Sequence, residues 1–152
     1  MKYVLDTNVI KRFGGAHANG NIQKWRAPIN DNEIFITVLS IQEIKKGIEA
    51  RRKTSDPQKV KLAADLQASL DKLVSEFKDR ILPIDTPAAL EWGRRLSKHG
   101  TKSANDLAMI SIVAANQPAA AVTQNLADFR HRGVQVIDPY DDPPAEYHDA
   151  ET

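Results

Sequence analysis

Short apolar runs alternate with longer stretches of helical period along most of this chain, and that alternation leaves few folds open to it. Residues 2–6, Glu33 to Leu39, 81–84, 119–123 and 134–137 read as strands, the second rich in β-branched residues. Between them, Thr7 to Phe13, 22–27, Ser40 to about Arg52, Gln58 to Phe77, Pro87 to Lys98 and Ser103 to about Asn116 read as helices. Val60, Ala64, Leu66, Leu70, Leu73, Val74 and Phe77 form the apolar stripe of the longest, and the helix from Ser103 is apolar nearly all round, hence buried. Gly14-Gly15 with His17 to Gly20, Thr54-Ser-Asp-Pro57, His99-Gly100 and Pro118 are the breakers. Strands separated in this way by helices imply a parallel sheet with helices on both faces.

Four carboxylates stand where such a strand or loop hands over to a helix. They are Asp6 in Tyr3-Val-Leu-Asp-Thr-Asn8, Glu43 in Ser40-Ile-Gln-Glu43, Asp106 in Ser103-Ala-Asn-Asp106 and Asp128 in Asn125-Leu-Ala-Asp128. Strand exits of a parallel sheet lie along one edge, so acids scattered in sequence meet there in space. Like charges brought together raise one another's pKa, and a divalent cation relieves that repulsion. An all-oxygen set suits Mg²⁺ or Mn²⁺ better than Zn²⁺, which prefers His and Cys. A plainer reading competes. Ser40 with Glu43 and Ser103 with Asp106 fit the capping box, and Asn125 with Asp128 is a near relative. Acids in a first turn also complement the helix dipole. Taken singly, each acid reads as a cap before it reads as a ligand; taken with the words around them, they read as a metal site.

Those words are LDTNVI near the start, SIQEIKKGIE after a strand, RILPID before a helix, and VTQNLADF followed by GVQVIDP. In this order and spacing, from about Lys2 to about Tyr140, they resemble the PIN-domain nucleases, and among these the VapC/FitB-type toxins of toxin–antitoxin pairs. The resemblance implies one PIN-like α/β domain over residues 1–140, its parallel five-stranded sheet in the order 3-2-1-4-5 and flanked by helices. That order puts the switch point between strands one and four, with Asp6 and Asp128 beside the crevice where open α/β sheets bind ligands. The family's metal-site acids fall on Asp6, Glu43, Asp106 and Asp128. Thr7, Asn8, Thr123 and Asn125 become the polar neighbours that orient carboxylates or water. The implied activity is Mg²⁺- or Mn²⁺-dependent endoribonuclease cleavage, with water attacking to leave a 5′-phosphate and a 3′-OH. The implied partners are RNA, a second copy in a homodimer, and a cognate antitoxin whose segment fills the site; DNA is reached only through the antitoxin. Gln124, where an Arg is frequent, and Ser111, in a stretch usually rich in Ala, depart from the pattern, and neither is a presumed ligand.

Composition narrows the field further. The absence of cysteine excludes disulfide and thiolate chemistry. No run approaches the length of a membrane span and the start reaches an acid too soon for a signal peptide, so the expected location is the cytoplasm. The formal net charge of +1 hides an asymmetry: residues 141–152 hold five acids and no Lys or Arg, leaving 21 basic against 15 acidic residues elsewhere, or +6. A basic body suits a polyanion. Lys11, Arg12, Lys45 and Arg130 are the candidates for RNA backbone contacts, and the acidic segment after Pro143-Pro144 reads as a disordered tail that screens them. His17, His99, His131 and His148 are too dispersed to form a metal-free acid–base pair. Trp25 and Trp92 read as core or interface residues. Two rival functions remain at this stage. A HAD-type phosphatase wants a second acid two residues after Asp6, where Asn8 stands, and a catalytically silent PIN-like interaction protein has no need of four acids.

Overall fold

The computed structural model describes residues 1–13 and 17–152; the loop residues Gly14-Gly15 lie outside them. Strands β1 (Lys2–Leu5), β2 (Ile34–Thr37), β3 (Ile81–Leu82), β4 (Ala119–Val122), β5 (Gln135–Asp138) and β6 (Ala145–Tyr147) form one sheet in the order β3-β2-β1-β4-β5-β6. The first five are mutually parallel and in the expected order. Leu5 sits opposite Val122, and Val122 opposite Ile137, so three strand exits come level along one edge.

Alternation along each strand explains why both faces are covered. Val4, Ala119, Ala121 and Val136 face one core with α5 (Thr86–His99) and α6 (Ala104–Ala115). Leu5, Ala120, Val122 and Ile137 face a second core with Val9 of α1 (Thr7–Lys11), Ile22 of α2 (Gly20–Arg26) and Phe77. Leu107 through Val113 are all buried, because α6 is wedged between the sheet and α5. Each Leu, Met, Ile or Val side chain so removed from water stabilises the fold by roughly 1.5–3 kcal/mol before entropy is counted. Helices α3 (Val38–Arg52) and α4 (Pro57–Phe77) close a third, smaller cluster around Ile48, Ala63 and Leu70. Within the expected stripe of α4, Leu66, Leu70, Leu73 and Phe77 turn inward while Val60 and Val74 stay exposed. Asp56 and Asp85 cap α4 and α5 by accepting N–H bonds from Gln58 and Ala88, each at 3.0 Å. Gly100, at φ +80°, ends α5 where the sequence placed its stop.

Two expectations need correction. The sheet has six strands, because β6 runs antiparallel along the outer edge of β5. The segment 141–152 is therefore not a disordered tail. Its backbone satisfies β5 groups that an edge strand would leave open, and Tyr147 packs against the α5–α6 core. Charge count alone hid this, since five acids outweigh one tyrosine in any compositional reading. The second correction concerns α3. It starts at Val38 rather than Ser40, and Thr37 stands at its N-cap without a side-chain cap bond. Ser40 lies inside the helix. Among the described residues no helix is long and apolar enough to cross a membrane.

Candidate functional site

Asp6 follows β1 and caps α1, accepting the Thr7 N–H at 2.8 Å. Its other carboxylate oxygen accepts the Thr123 hydroxyl at 2.8 Å, across from the end of the adjacent β4. Thr123 Oγ1 in turn accepts the Asn125 N–H at 2.9 Å, which fixes the turn into α7 (Leu126–Phe129). The Asn125 amide then reaches both remaining aspartates, donating to Asp106 Oδ2 at 3.2 Å and to Asp128 Oδ2 at 3.0 Å. On the far side of β1, the buried Thr7 hydroxyl donates to Glu43 Oε2 at 2.7 Å and lies 2.9 Å from Ser40 Oγ. With its single proton on Glu43, Thr7 accepts from Ser40. One hydrogen-bonded network thus links all four acids along the exit edge of the sheet.

Every partner in that network is a hydroxyl or an amide. Among the described residues, no Lys, Arg or His lies within salt-bridge distance of Asp6, Glu43, Asp106 or Asp128. Asp106 records the consequence: burial first, then the negative charges of Asp6, Asp128 and Glu43, push its pKa up to about 6. Folding has gathered charge here without neutralising it. Among the described residues, no three acid or imidazole groups already close on a single point. The donor set nonetheless fits a small hard cation, because Mg²⁺ keeps several waters and needs only one or two carboxylates. A cleft of about 400 Å³ opens beside Asp106 and Asp128, lined otherwise by residues 101–105.

The polar neighbours named from sequence divide. Thr7, Thr123 and Asn125 hold acids in place. Asn8 is exposed, and among the described residues no bond joins its side chain to an acid. Ser40 and Ser103, read as caps, belong to the site as well. Ser103 precedes α6 without a side-chain cap bond and donates to Asp128 Oδ1 at 3.2 Å. Asn125 likewise makes no cap bond to α7. The three-residue spacing that signals a capping box also places two side chains on one face, which is why sequence could not separate the two. Asp138, a fifth acid at the same edge, is buried but accepts the Tyr140 N–H at 2.9 Å and turns the chain toward β6.

The basic candidates divide too. Lys11 and Arg12 are exposed near the end of α1. Lys45 points to α4, donating to Gln67 at 2.7 Å and pairing with Glu49 at 2.9 Å. Arg130 is taken by Asp149 through bonds of 2.8 and 3.2 Å. Trp92 donates its indole N–H to the Ala104 carbonyl at 3.0 Å, and Trp25 meets Tyr3 edge to face at 5.7 Å. Both tryptophans are packing residues here.

A mostly parallel sheet of this order with acids at its switch point defines a class, and sequence comparison puts a family to it. The model of the PIN domain matches residues 3–134, and the chain belongs to that family. PIN domains are typically nucleases that use divalent metal ions. Toxin FitB of Neisseria gonorrhoeae is 25% identical over 142 residues, which cover 91% of this chain and 99% of that protein. The solved structure of FitAcB from Neisseria gonorrhoeae superposes with a TM-score of 0.73 at 21% identity, covering 91% of this chain and 98% of that one. DNA-bound VapBC from Salmonella typhimurium gives 0.65 at 22% identity, covering 91% and 98%. At such identities the two solved structures speak for the fold alone.

Proposed function

We propose that this protein is a metal-dependent endoribonuclease and the toxin of a toxin–antitoxin pair. The observation that carries the catalytic part is the uncompensated cluster of Asp6, Glu43, Asp106 and Asp128 at the switch point of the sheet. The toxin part rests on membership of the PIN family and on the likeness to a protein named Toxin FitB. The same likeness supports a cognate antitoxin as partner; a second copy of this chain, and DNA reached through the antitoxin, are inferred from the sequence resemblance alone.

Asp6, Asp106 and Asp128 would hold Mg²⁺ or Mn²⁺, with Glu43 reaching the site from the other side of β1. When bound, the ion supplies charge stabilisation at the scissile phosphate and lowers the pKa of water. The protein's own part is positioning. Thr123 fixes Asp6, and Asn125 keeps Asp106 and Asp128 at one amide's reach despite their mutual repulsion. Glu43, oriented by Thr7 and Ser40, would take the proton of an attacking water. RNA enters through the cleft beside Asp106, where Lys102 faces its backbone, and leaves with 5′-phosphate and 3′-OH ends. Asn8 weighs against the phosphatase alternative, because an exposed amide takes the place of the required second acid.

Single-stranded RNA incubated with Mg²⁺, Mn²⁺ or a chelator tests this, the ends being mapped by their ability to accept ligation. Cleavage with either ion, none with chelator, and 5′-phosphate ends are expected. Cleavage that survives chelation, or 2′,3′-cyclic ends, would refute the mechanism. In parallel, calorimetry should show Mn²⁺ binding to wild type and a large loss in Asp6→Asn.

A further inference from the structure

Beyond the pairing of β6 with β5 and the packing of Tyr147, the C-terminal segment is held down by charge. After β6, Asp149 accepts two bonds from Arg130, and the same guanidinium stacks 4.0 Å above the Tyr147 ring. Two residues on, Glu151 pairs with Arg94 at 2.8 Å and with His99 at 3.0 Å, both on α5. Its approach depends on Gly133, at φ +82°, where an added Cβ would stand 3.3 Å from the Glu151 Cβ. A bidentate arginine–carboxylate pair has the geometry with which arginine also takes a phosphate. Arg130 follows the site residue Asp128 by two positions, and α5 runs into the loop carrying Lys102 that lines the cleft. The family match ends at residue 134, so it assigns this segment no role.

We infer that the face formed by Arg130, Arg94 and His99 is a binding surface for the RNA backbone flanking the cleavage site, and that the carboxylates of Asp149 and Glu151 occupy phosphate seats on it. The inference rests on the ribonuclease reading for its ligand. The segment is then an intramolecular competitor, and RNA must displace it to use the face. A strap with a purely structural role would instead leave RNA affinity unchanged when one of its charges is removed.

Binding of a labelled oligouridylate is measured in chelator across a salt series, so that cleavage does not enter. Asp149→Asn should bind roughly fivefold to tenfold more tightly near about 50 mM salt, with the slope of log affinity against log salt steeper by about 0.7, the value of one added phosphate contact on a single strand. Arg130→Gln in that background should erase the gain. Lines that superimpose for wild type and Asp149→Asn, or a gain that survives Arg130→Gln, overturn the inference. Should Asp149→Asn fail to fold, the wild-type protein decides: oligouridylate at low salt must shift the Arg130 Nε–H resonance and speed amide exchange in 145–147, and no change overturns it. Metal-dependent cleavage by wild type with no gain in Asp149→Asn sinks this inference alone; a gain without any cleavage sinks the nuclease reading and leaves the surface standing.

Discussion

Asp6, Glu43, Asp106 and Asp128 meet hydroxyls and amides only, whereas Asp142, Asp149 and Glu151 each meet a cation, at 2.8–3.0 Å from Lys24, Arg130 and Arg94 respectively. The two groups are the same chemistry in opposite states. Burial raises Asp106, and its acidic neighbours raise it further, to about 6. Burial also pushes Glu151 up, but hydrogen bonds from His99 and Arg94 and the charges of Arg94 and Arg95 outweigh it and hold Glu151 at about 2. Folding completes the second group. It leaves the first wanting positive charge, which is the electrostatic condition of a site built for a cation or for work on a proton.

Substituting within the first group should give the largest effect. Asp106→Asn is expected to lower RNA cleavage about a thousandfold, roughly 4 kcal/mol of lost transition-state stabilisation. The same change removes a charge that its neighbours repel, so the metal-free variant should melt at or above the wild-type temperature. Cleavage assays and thermal melts in chelator check the two halves. Retained cleavage, or a melting temperature that drops as it would for a lost ion pair, would erase the contrast between the groups.

The second group should show itself in stability rather than activity. Glu151 titrates near 2 in the folded chain against an ordinary 4.5, so its stabilisation is present above 4.5 and is lost as pH falls through 2. Discounted for solvent screening of this half-buried side chain, that difference corresponds to an effect of about 1–3 kcal/mol at neutral pH. Denaturant unfolding of Glu151→Gln should therefore show a deficit at pH 7 that closes toward pH 2. Asp106 runs the other way. Its folded pKa of about 6 lies above the ordinary 3.8, so the advantage of its protonated form holds below 3.8 and disappears as pH rises through 6. Asp106→Asn should accordingly gain on wild type across that window, in the absence of metal. Parallel pH profiles for the two variants would mean that the groups do not differ.

What the sequence disclosed follows the same line. The strand–helix alternation was legible because both faces of the sheet are buried, and apolar runs report burial directly; the order of the first five strands came only with the resemblance to the PIN-domain nucleases. The four acids were legible because a strand exit is a position that sequence can locate. The role of Ser40 was not, since only the tertiary structure sets α3 beside Thr7 and moves its start to Val38. The final strand stayed hidden for a related reason. Its stability comes from Arg130, Arg94 and His99, which lie between 19 and 57 positions earlier in the chain, and from the open edge of β5. Composition registers the acids of 141–152 but not the cations waiting for them.

The smallest expected effect separates a cap from a site residue. Asp85 accepts the Ala88 N–H at 3.0 Å and serves α5 alone, while Ser103 occupies the same kind of position before α6 yet turns its hydroxyl to Asp128. Asp85→Ala should cost about 1 kcal/mol of stability, the ordinary loss for an N-cap, with cleavage unchanged. Ser103→Ala should keep stability within about 0.5 kcal/mol, because no backbone N–H loses a partner. Its loss should fall on Asp128, whose carboxylate then turns more freely, and Mn²⁺ affinity should drop by about tenfold, the low end for a residue that orients a ligand. Chemical denaturation and metal titration of both variants give four numbers. A stability loss for Ser103→Ala equal to that of Asp85→Ala, with Mn²⁺ affinity intact, would return Ser103 to the caps and loosen the hold on Asp128 that the candidate site requires.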